Sequence, residues 1–261
     1  MDTKIRFGPA VLGSVKESIT TLEKYAELGF TACEIAFTYG AYIKEEDALE
    51  IGKVAKELNI KLSIHAPFFV NLNSKEEEKI EASKKRILQS CKIGNILGVE
   101  QIVFHAGFYS GMDKEEAYQN IKKQIVELQE TIKKEKYNVK LSPEVMGKIN
   151  VFGSIEEISR LAKETGCSFT IDFAHILARY KENKFEEVIK SFPQNEWHCH
   201  FSGIEYGEKG ERKHLNTPKP GFKELLENIS KLGKTITIIN ESPQPVEDSV
   251  LGLKLYKEQF N

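Results

Sequence analysis

Short stretches of this chain alternate apolar and polar residues. Each is followed by a longer stretch in which apolar residues recur every three or four positions. The first pattern lines the two faces of a strand; the second lines one face of a helix. The strand pattern is clear in Phe169-Thr170-Ile171-Asp172-Phe173-Ala174-His175, where three apolar residues alternate with Thr170 and Asp172. The alternation predicts strands at Lys4–Pro9, Ala32–Phe37, Lys61–Ala66, Gln101–Ala106, Lys140–Val145, Phe169–His175, Glu196–Ser202 and Thr235–Ser242. Between and after them it predicts helices at Ser14–Leu28, Lys44–Leu58, Asp113–Glu135, Phe185–Phe192, Gly221–Leu232 and Val246–Lys257. Two more open on capping boxes, Ser74 with Glu77 and Ser154 with Glu157, and end at Gly98 and Gly166.

Strand and helix thus alternate through the chain with no break in composition. That order predicts an α/β fold, a single (β/α)8 TIM barrel spanning residues 1–261. Gly29, Gly98, Gly166 and Gly233 each stand where a helix must turn back into a strand. A doubly wound open sheet would need a glycine-rich phosphate turn after its first strand, and there is none.

Composition narrows the picture little. The 261 residues carry 37 Lys+Arg against 39 Asp+Glu, so any basic surface must be local. Cys33, Cys91, Cys167 and Cys199 form no C-x-x-C pair and read as buried free thiols. No apolar run is long enough for a membrane span and no signal peptide is evident, which makes the cytoplasm the expected compartment.

The chemistry lies at the carboxyl ends of the strands, where barrels carry their active residues. Those ends read His65, His105, Glu144, Asp172 with His175, His198 with His200, and Glu241. His214 falls in the loop after the seventh strand, and with it all six histidines of the chain lie at or just beneath that face. Strand parity agrees. Ser63/His65, Val103/His105, Ser142/Glu144, Thr170/Asp172, His198/His200 and Thr237/Glu241 share one face, and bulky apolar residues take the other. The polar parity should face the barrel axis, where side chains from different strands converge. Imidazoles and carboxylates converging there describe a metal site. His198 reads equally as a ligand or a hydrogen-bonded core histidine. Glu34, of the same parity, reads as a buried partner of Arg6.

These stretches resemble the endonuclease IV family of abasic-site DNA repair enzymes. The resemblance rests on His65-Ala66-Pro67-Phe68 with Asn71, Val103-Phe104-His105-Ala106-Gly107, Pro143-Glu144-Val145-Met146-Gly147-Lys148, Ile171-Asp172-Phe173-Ala174-His175, His200-Phe201-Ser202 and Asn240-Glu241-Ser242-Pro243, in family order. It implies a zinc-dependent endonuclease that hydrolyses the phosphodiester 5′ of abasic sites in double-stranded DNA. His65, His105 and Glu144 would hold one ion. Glu144 would bridge to a second, also held by Asp172, His200 and Glu241, and His175 with His214 would hold a third. Glu144 and Glu241 are the implied catalytic carboxylates, and two or three Zn2+ ions are expected, with Mn2+ or Fe2+ able to take their place. The ions would activate water and stabilise the leaving oxygen.

Two features depart from the family pattern. Arg212-Lys213-His214 stands where the family has Asp-x-His. Either Glu211 or Glu208 supplies the missing acid, or the third site is loose; the local positive charge favours the loose site. The loop after the second strand, Thr38-Tyr39-Gly40-Ala41-Tyr42, also lacks the arginine with which larger members enter DNA. Tyr39, Phe68 or Tyr109 is the candidate wedge. Lys148, Arg179, Lys181, Lys184, Lys209, Arg212, Lys213 and Lys219 are candidates for phosphate contacts, Lys148, Arg179 and Arg212 foremost. Asn71 is a further substrate-binding candidate. The expected particle is a monomer on abasic duplex DNA. Two rival readings share the barrel: a divalent-metal sugar isomerase or epimerase, and a non-catalytic barrel that binds DNA lesions.

Overall fold

The computed structural model describes residues 4–260. Its strands are β1 (Lys4–Pro9), β2 (Ala32–Ala36), β3 (Lys61–His65), β4 (Gln101–Phe104), β5 (Lys140–Pro143), β6 (Thr170–Asp172), β7 (Glu196–Phe201), β8 (Gly203–Gly207), β9 (Gly210–Leu215) and β10 (Thr235–Asn240). Its helices are α1 (Ser18–Glu27), α2 (Glu45–Glu57), α3 (Glu77–Leu97), α4 (Lys114–Lys134), α5 (Ile155–Thr165), α6 (Phe173–Tyr180), α7 (Phe185–Ser191), α8 (Lys219–Ile229) and α9 (Pro245–Phe260).

Parallel pairing runs β1-β10-β7-β6 on one side and β2-β3-β4-β5 on the other. Two seams close these runs into a ring. At one, Glu144 bridges in parallel to Thr170, and Val145 N–H donates to the Thr170 carbonyl at 3.0 Å. At the other, Thr31 N–H donates to the Phe7 carbonyl at 3.1 Å. Gly8 makes this second seam possible: a Cβ there would lie 1.7 Å from the Ala32 carbonyl oxygen. The result is the expected (β/α)8 barrel, with the β8–β9 hairpin added after β7.

Register carries the inward parity around the ring. Glu34 aligns with Ser63, His65 with Val103, and Val103 with Ser142. Thr170 aligns with His198, Asp172 with His200, and His198 with Thr237. The opposite parity, including Ile35, Ile64, Ile102, Phe104, Leu141, Ile171, Trp197, Cys199, Ile236 and Ile238, is buried in the core cluster with the helices. All four cysteines are free and buried.

Local differences have local causes. The sixth strand stops at Asp172 rather than His175, because the Asp172 side chain accepts the His175 backbone N–H at 2.8 Å and starts α6 at once. The apolar pattern of that short helix is too brief to predict it. Ser154 and Glu157 form the capping box, but Ser74 does not: α3 starts at Glu77, and the Ser74 hydroxyl accepts from Glu76 N–H instead. The first helix begins at Ser18 rather than Ser14. Gly29, Gly98, Gly166 and Gly233 all have positive φ, as helix ends turning back into strands require.

The close approach at Gly8 gives a stability prediction. Gly8→Ala should lower unfolding free energy by at least about 3 kcal/mol, because the obstacle is a backbone oxygen rather than a movable side chain. Denaturant unfolding measures this, and a loss below about 1 kcal/mol would show that the seam can open without cost.

Candidate metal centre

The strand ends place the candidate ligands in three overlapping groups, with a fourth, Glu34, His198 and His200, beneath them. His65, His105 and Glu144 form one; Glu144, Asp172, His200 and Glu241 a second; Asp172, His175 and His214 a third. Within each group the ligand atoms lie within 4.8 Å of one another. Glu144 is shared by the first two groups and Asp172 by the last two. Glu144 Oε2 lies 3.3 Å from His65 Nε2 and 3.1 Å from His105 Nε2, and its Oε1 lies 3.2 Å from His200 Nδ1. Glu241 Oε2 approaches the same His200 nitrogen at 3.3 Å.

The rings are oriented from outside the centre. His65 Nδ1 lies 2.8 Å from the Ala66 carbonyl, and His175 Nδ1 3.0 Å from the Val145 carbonyl. A carbonyl can only accept, so each Nδ1 carries a proton, and each Nε2 is the nitrogen left to meet a metal. Ser202 donates its hydroxyl to the Gly203 carbonyl at 2.9 Å, which leaves its oxygen to accept from His214 Nδ1 at 2.8 Å. His214 therefore also keeps Nε2 free.

Glu211 is the acid that the hairpin brings nearest the third group. His214 lies on β9 of the hairpin rather than in a loop. Tyr206 pairs with Glu211 while Glu205 pairs with Lys213, so Arg212 is an extra residue at a bulge. An extra residue reverses the alternation of faces. Glu211 thereby joins the face of His214, and its Oε2 lies 3.4 Å from His175 Nε2. Gly147 leaves room for this, since a Cβ there would lie 2.7 Å from Glu211 Cβ and 3.0 Å from His175 Cδ2. Arg212 turns away to Glu205 at 3.5 Å, and Lys213 reaches the same carboxylate at 3.3 Å. The positive charge that argued for a loose site is drawn off by Glu205. Glu208 is exposed on the turn.

Glu34 is not the partner of Arg6. The Arg6 guanidinium donates to the Thr31 and Asn59 carbonyls, at 3.2 and 3.3 Å. Glu34 lies at the barrel axis and accepts from Ser63 Oγ at 2.7 Å and His198 Nε2 at 2.9 Å. His198 lies beneath the other candidate ligands, hydrogen-bonded to Glu34. Its register opposite Thr170 and Thr237, one layer below Asp172 and His200, was the available clue.

At the rim, Tyr39, Phe69, Phe68 and Phe108 are 82%, 61%, 55% and 49% exposed. They follow β2, β3 and β4 on the ligand face, and the Phe68 ring centroid lies 6.1 Å from that of His105. The sequence does not single out Phe69 and Phe108, because exposure in a loop has no periodicity. Tyr109 is buried, with its hydroxyl on Glu157, so it is no wedge. Asn71 Oδ1 accepts from Asn73 and Phe108 backbone N–H, which joins two rim loops. Arg179 donates to the Met146, Lys148 and Val151 carbonyls and pins the loop after β5. Lys181 is turned to the Ala178 and Gly207 carbonyls, and Lys184 to Glu182 and Glu187. Lys148, Lys209 and Lys219 are exposed and form no ion pair among the described residues.

Electrostatics favour cations here. Glu34, Glu144 and Asp172 are fully buried, and Asp172 Oδ2 has no aligned hydrogen bond, with His175 Nδ1 3.2 Å away. Burial, aided by the charges of Glu144 and Glu241, raises the Asp172 carboxyl to about 6 against the pull of His175. Burial opposes charge on Glu144 too, but His200 and the imidazoles bonded to it hold it well below the carboxylate range. Burial likewise opposes protonation of His65 and His175, yet the neighbouring carboxylates raise them from 6.5 to about 9 and about 10. Protons on these rings stand in for missing positive charge. Mixed imidazole and carboxylate donors, an orphaned buried carboxylate oxygen and rings with outward-held protons fit divalent transition metals of the zinc type.

With this fold and this centre, the chain belongs to the xylose isomerase-like TIM barrel family, which matches residues 22–259. An uncharacterised protein of Methanocaldococcus jannaschii, MJ0133, is 35% identical over 94% of each chain. An apurinic-apyrimidinic endonuclease of Caenorhabditis elegans is 29% identical over 74% of this chain and 53% of its own length. Solved structures of the same fold include endonuclease IV from Thermus thermophilus, with TM-score 0.69, 19% identity and coverage of 97% and 98%. D-psicose 3-epimerase matches equally well, with TM-score 0.69, 17% identity and 99% coverage of both chains. The fold therefore embraces endonucleases and sugar epimerases. No helix among the described residues is long and apolar enough to cross a membrane.

The geometry and its charges can each be tested. Glu211→Gln should lower bound metal by about one ion per chain, while Arg212→Asp should leave the count unchanged. Elemental analysis after identical purification decides this, and a gain of metal in Arg212→Asp would show that Glu211 does not serve the third group. The second prediction concerns pH. His65 and His175 have folded pKa values above their ordinary 6.5, so their stabilisation is complete below pH 6.5 and lost as pH rises through about 9 and about 10. The Tm of metal-free protein should fall across that window, and that of metal-loaded protein should stay nearly level. Parallel slopes would mean that metal does not replace those protons.

Proposed function

We propose that this protein is a metal-dependent endonuclease that hydrolyses the phosphodiester 5′ of abasic sites in duplex DNA. One observation carries the reading: the three ligand groups overlap through Glu144 and Asp172, giving one continuous centre with room for more than a single ion. A sugar epimerase needs one metal beside its substrate, whereas a phosphodiester has two oxygens and a nonbridging charge to be stabilised together. The exposed aromatic rim supports the same reading, because Tyr39, Phe68, Phe69 and Phe108 offer flat surfaces for unpaired bases. The likeness to a worm apurinic-apyrimidinic endonuclease agrees with it.

Zinc is the preferred metal, and two or three ions would be held by His65, His105, Glu144, Asp172, His175, His200, Glu211, His214 and Glu241. Bound there, it supplies Lewis acidity for the attacking water and the leaving oxygen. Glu144 shares its two oxygens between neighbouring groups and fixes their spacing. Glu241 stands at the solvent edge of the centre, with its side chain 19% exposed, and His200 holds it ionised against the opposing effect of burial. Its carboxylate accepts the proton of the attacking water. Lys148, Lys209 and Lys219 meet phosphates, and Asn71 and Arg179 keep the rim loops in place for them. The protein acts as a monomer in the cytoplasm.

The test is incision of a duplex with a single tetrahydrofuran abasic analogue, beside an undamaged duplex and a ketohexose. Cutting 5′ of the analogue is expected, with loss on chelation and recovery on adding Zn2+. Glu144→Gln should lower the rate by more than about 100-fold in a folded protein. Ketohexose epimerisation without incision would assign the centre to sugar chemistry, and tight binding without either reaction would make the protein a lesion sensor.

A further inference from the structure

We propose that Glu34 is the positioning residue that holds His200 with Nδ1 turned to the metal centre. This rests on the metal-centre reading, but not on the identity of the substrate.

His200 differs from the other candidate ligands in how it is held. His65, His175 and His214 present Nε2 and anchor Nδ1 on a carbonyl or hydroxyl, with His175 Nδ1 also 3.2 Å from Asp172 Oδ2 and 3.3 Å from Glu144 Oε1. His200 is turned the other way. Its Nδ1 faces Glu144 Oε1 and Glu241 Oε2 at 3.2 and 3.3 Å, and its Nε2 faces Glu34 Oε1 at 3.0 Å. The ring is fully buried, so water cannot take the place of Glu34.

Glu34 is built to be static. Its Oε2 takes both the Ser63 hydroxyl and His198 Nε2. Its Oε1 and His200 Nε2 are each buried without an aligned hydrogen bond, although they are close. A small rotation of the imidazole aligns the pair. Nε2–H then donates to the carboxylate, which places the only ring proton on the far side from the metal. Nδ1 keeps its lone pair, and the carboxylate makes that nitrogen a stronger donor.

A purely structural Glu34 would matter for folding alone. A positioning Glu34 must alter the metal centre in protein that remains folded. The experiment titrates metal-free wild type, Glu34→Gln and Ser63→Ala with Co2+, read by visible absorption and by competition with a chelator. In parallel, 15N NMR of the Zn2+-loaded proteins reports which His200 nitrogen carries the proton. Expected are metal binding about 10- to 100-fold weaker in Glu34→Gln for the ion nearest His200, and an altered cobalt spectrum. Ser63→Ala removes only a brace on Oε2, so it should shift affinity the same way by less than about tenfold, and it covers the case in which Glu34→Gln does not fold. Wild type should show Nε2–H at His200. Wild-type affinity and spectrum in folded Glu34→Gln, or a protonated Nδ1 in loaded wild type, would overturn the proposal while leaving the metal centre intact. Failure of wild type to bind Co2+ would overturn the metal-centre reading itself.

Discussion

Burying carboxylates is costly unless positive charge lies beside them, and this barrel buries several on one axis. Glu34, Glu144 and Asp172 have no exposed surface, and Glu211 and Glu241 have little. Around them stand six histidines, the chain's entire supply. In metal-free protein the balance falls to protons on rings that would ordinarily be neutral, with His65 and His175 raised well above 6.5. Every other feature of the centre follows from that demand. Rings are oriented by carbonyls and hydroxyls, and two acidic oxygens, Glu34 Oε1 and Asp172 Oδ2, are buried without an aligned hydrogen bond.

The barrel meets the demand through parity and register. Parallel strands with aligned registers stack inward side chains in layers. The lower layer holds Glu34, Ser63, His198 and Thr237, and the upper one holds His65, Asp172 and His200. The lower layer closes the barrel with hydrogen bonds in place of packed hydrocarbon, and the upper layer carries the candidate ligands. The two layers meet where Glu34 faces His200. Polar groups normally avoid such depth unless they are satisfied. Here the lower layer is satisfied chiefly by itself, with Ser63 and His198 both turned on Glu34.

Much of this was legible in the sequence because it depends on period. Alternation of two marked the strands, and the ligand parity on six of them marked the axis. Where the rule is local but not periodic, legibility fell. Asp172 reads as a strand residue, yet it is both the strand's end and the cap of α6, since one carboxylate oxygen accepts His175 N–H. Glu34 had the right parity, but its partner depends on which strand lies across the axis, and that is set only when the ring closes. The β8–β9 hairpin is short, and β9 carries no apolar residue before Leu215, so the brief Ile204/Tyr206 alternation did not mark it. The exposed Phe69 and Phe108 lie in loops where a single side chain carries no pattern at all.

The hairpin shows how an acid can reach the face of His214 through a change in spacing. In an unbroken strand, residues two apart share a face, so Arg212 would stand beside His214 and repel a cation. The bulge makes three positions do the work of two. It carries Glu211 inward and turns Arg212 outward, where Glu205 takes its charge. The loop after β5 fits this slip. Gly147 lacks the side chain that would collide with Glu211, and Gly210, at φ +91, brings its backbone against Gly147. The acid, the bulge and the two glycines are therefore one device, and a sequence motif of fixed spacing would miss it. What the metal centre requires is a face, and a backbone can reach the same face by more than one count of residues.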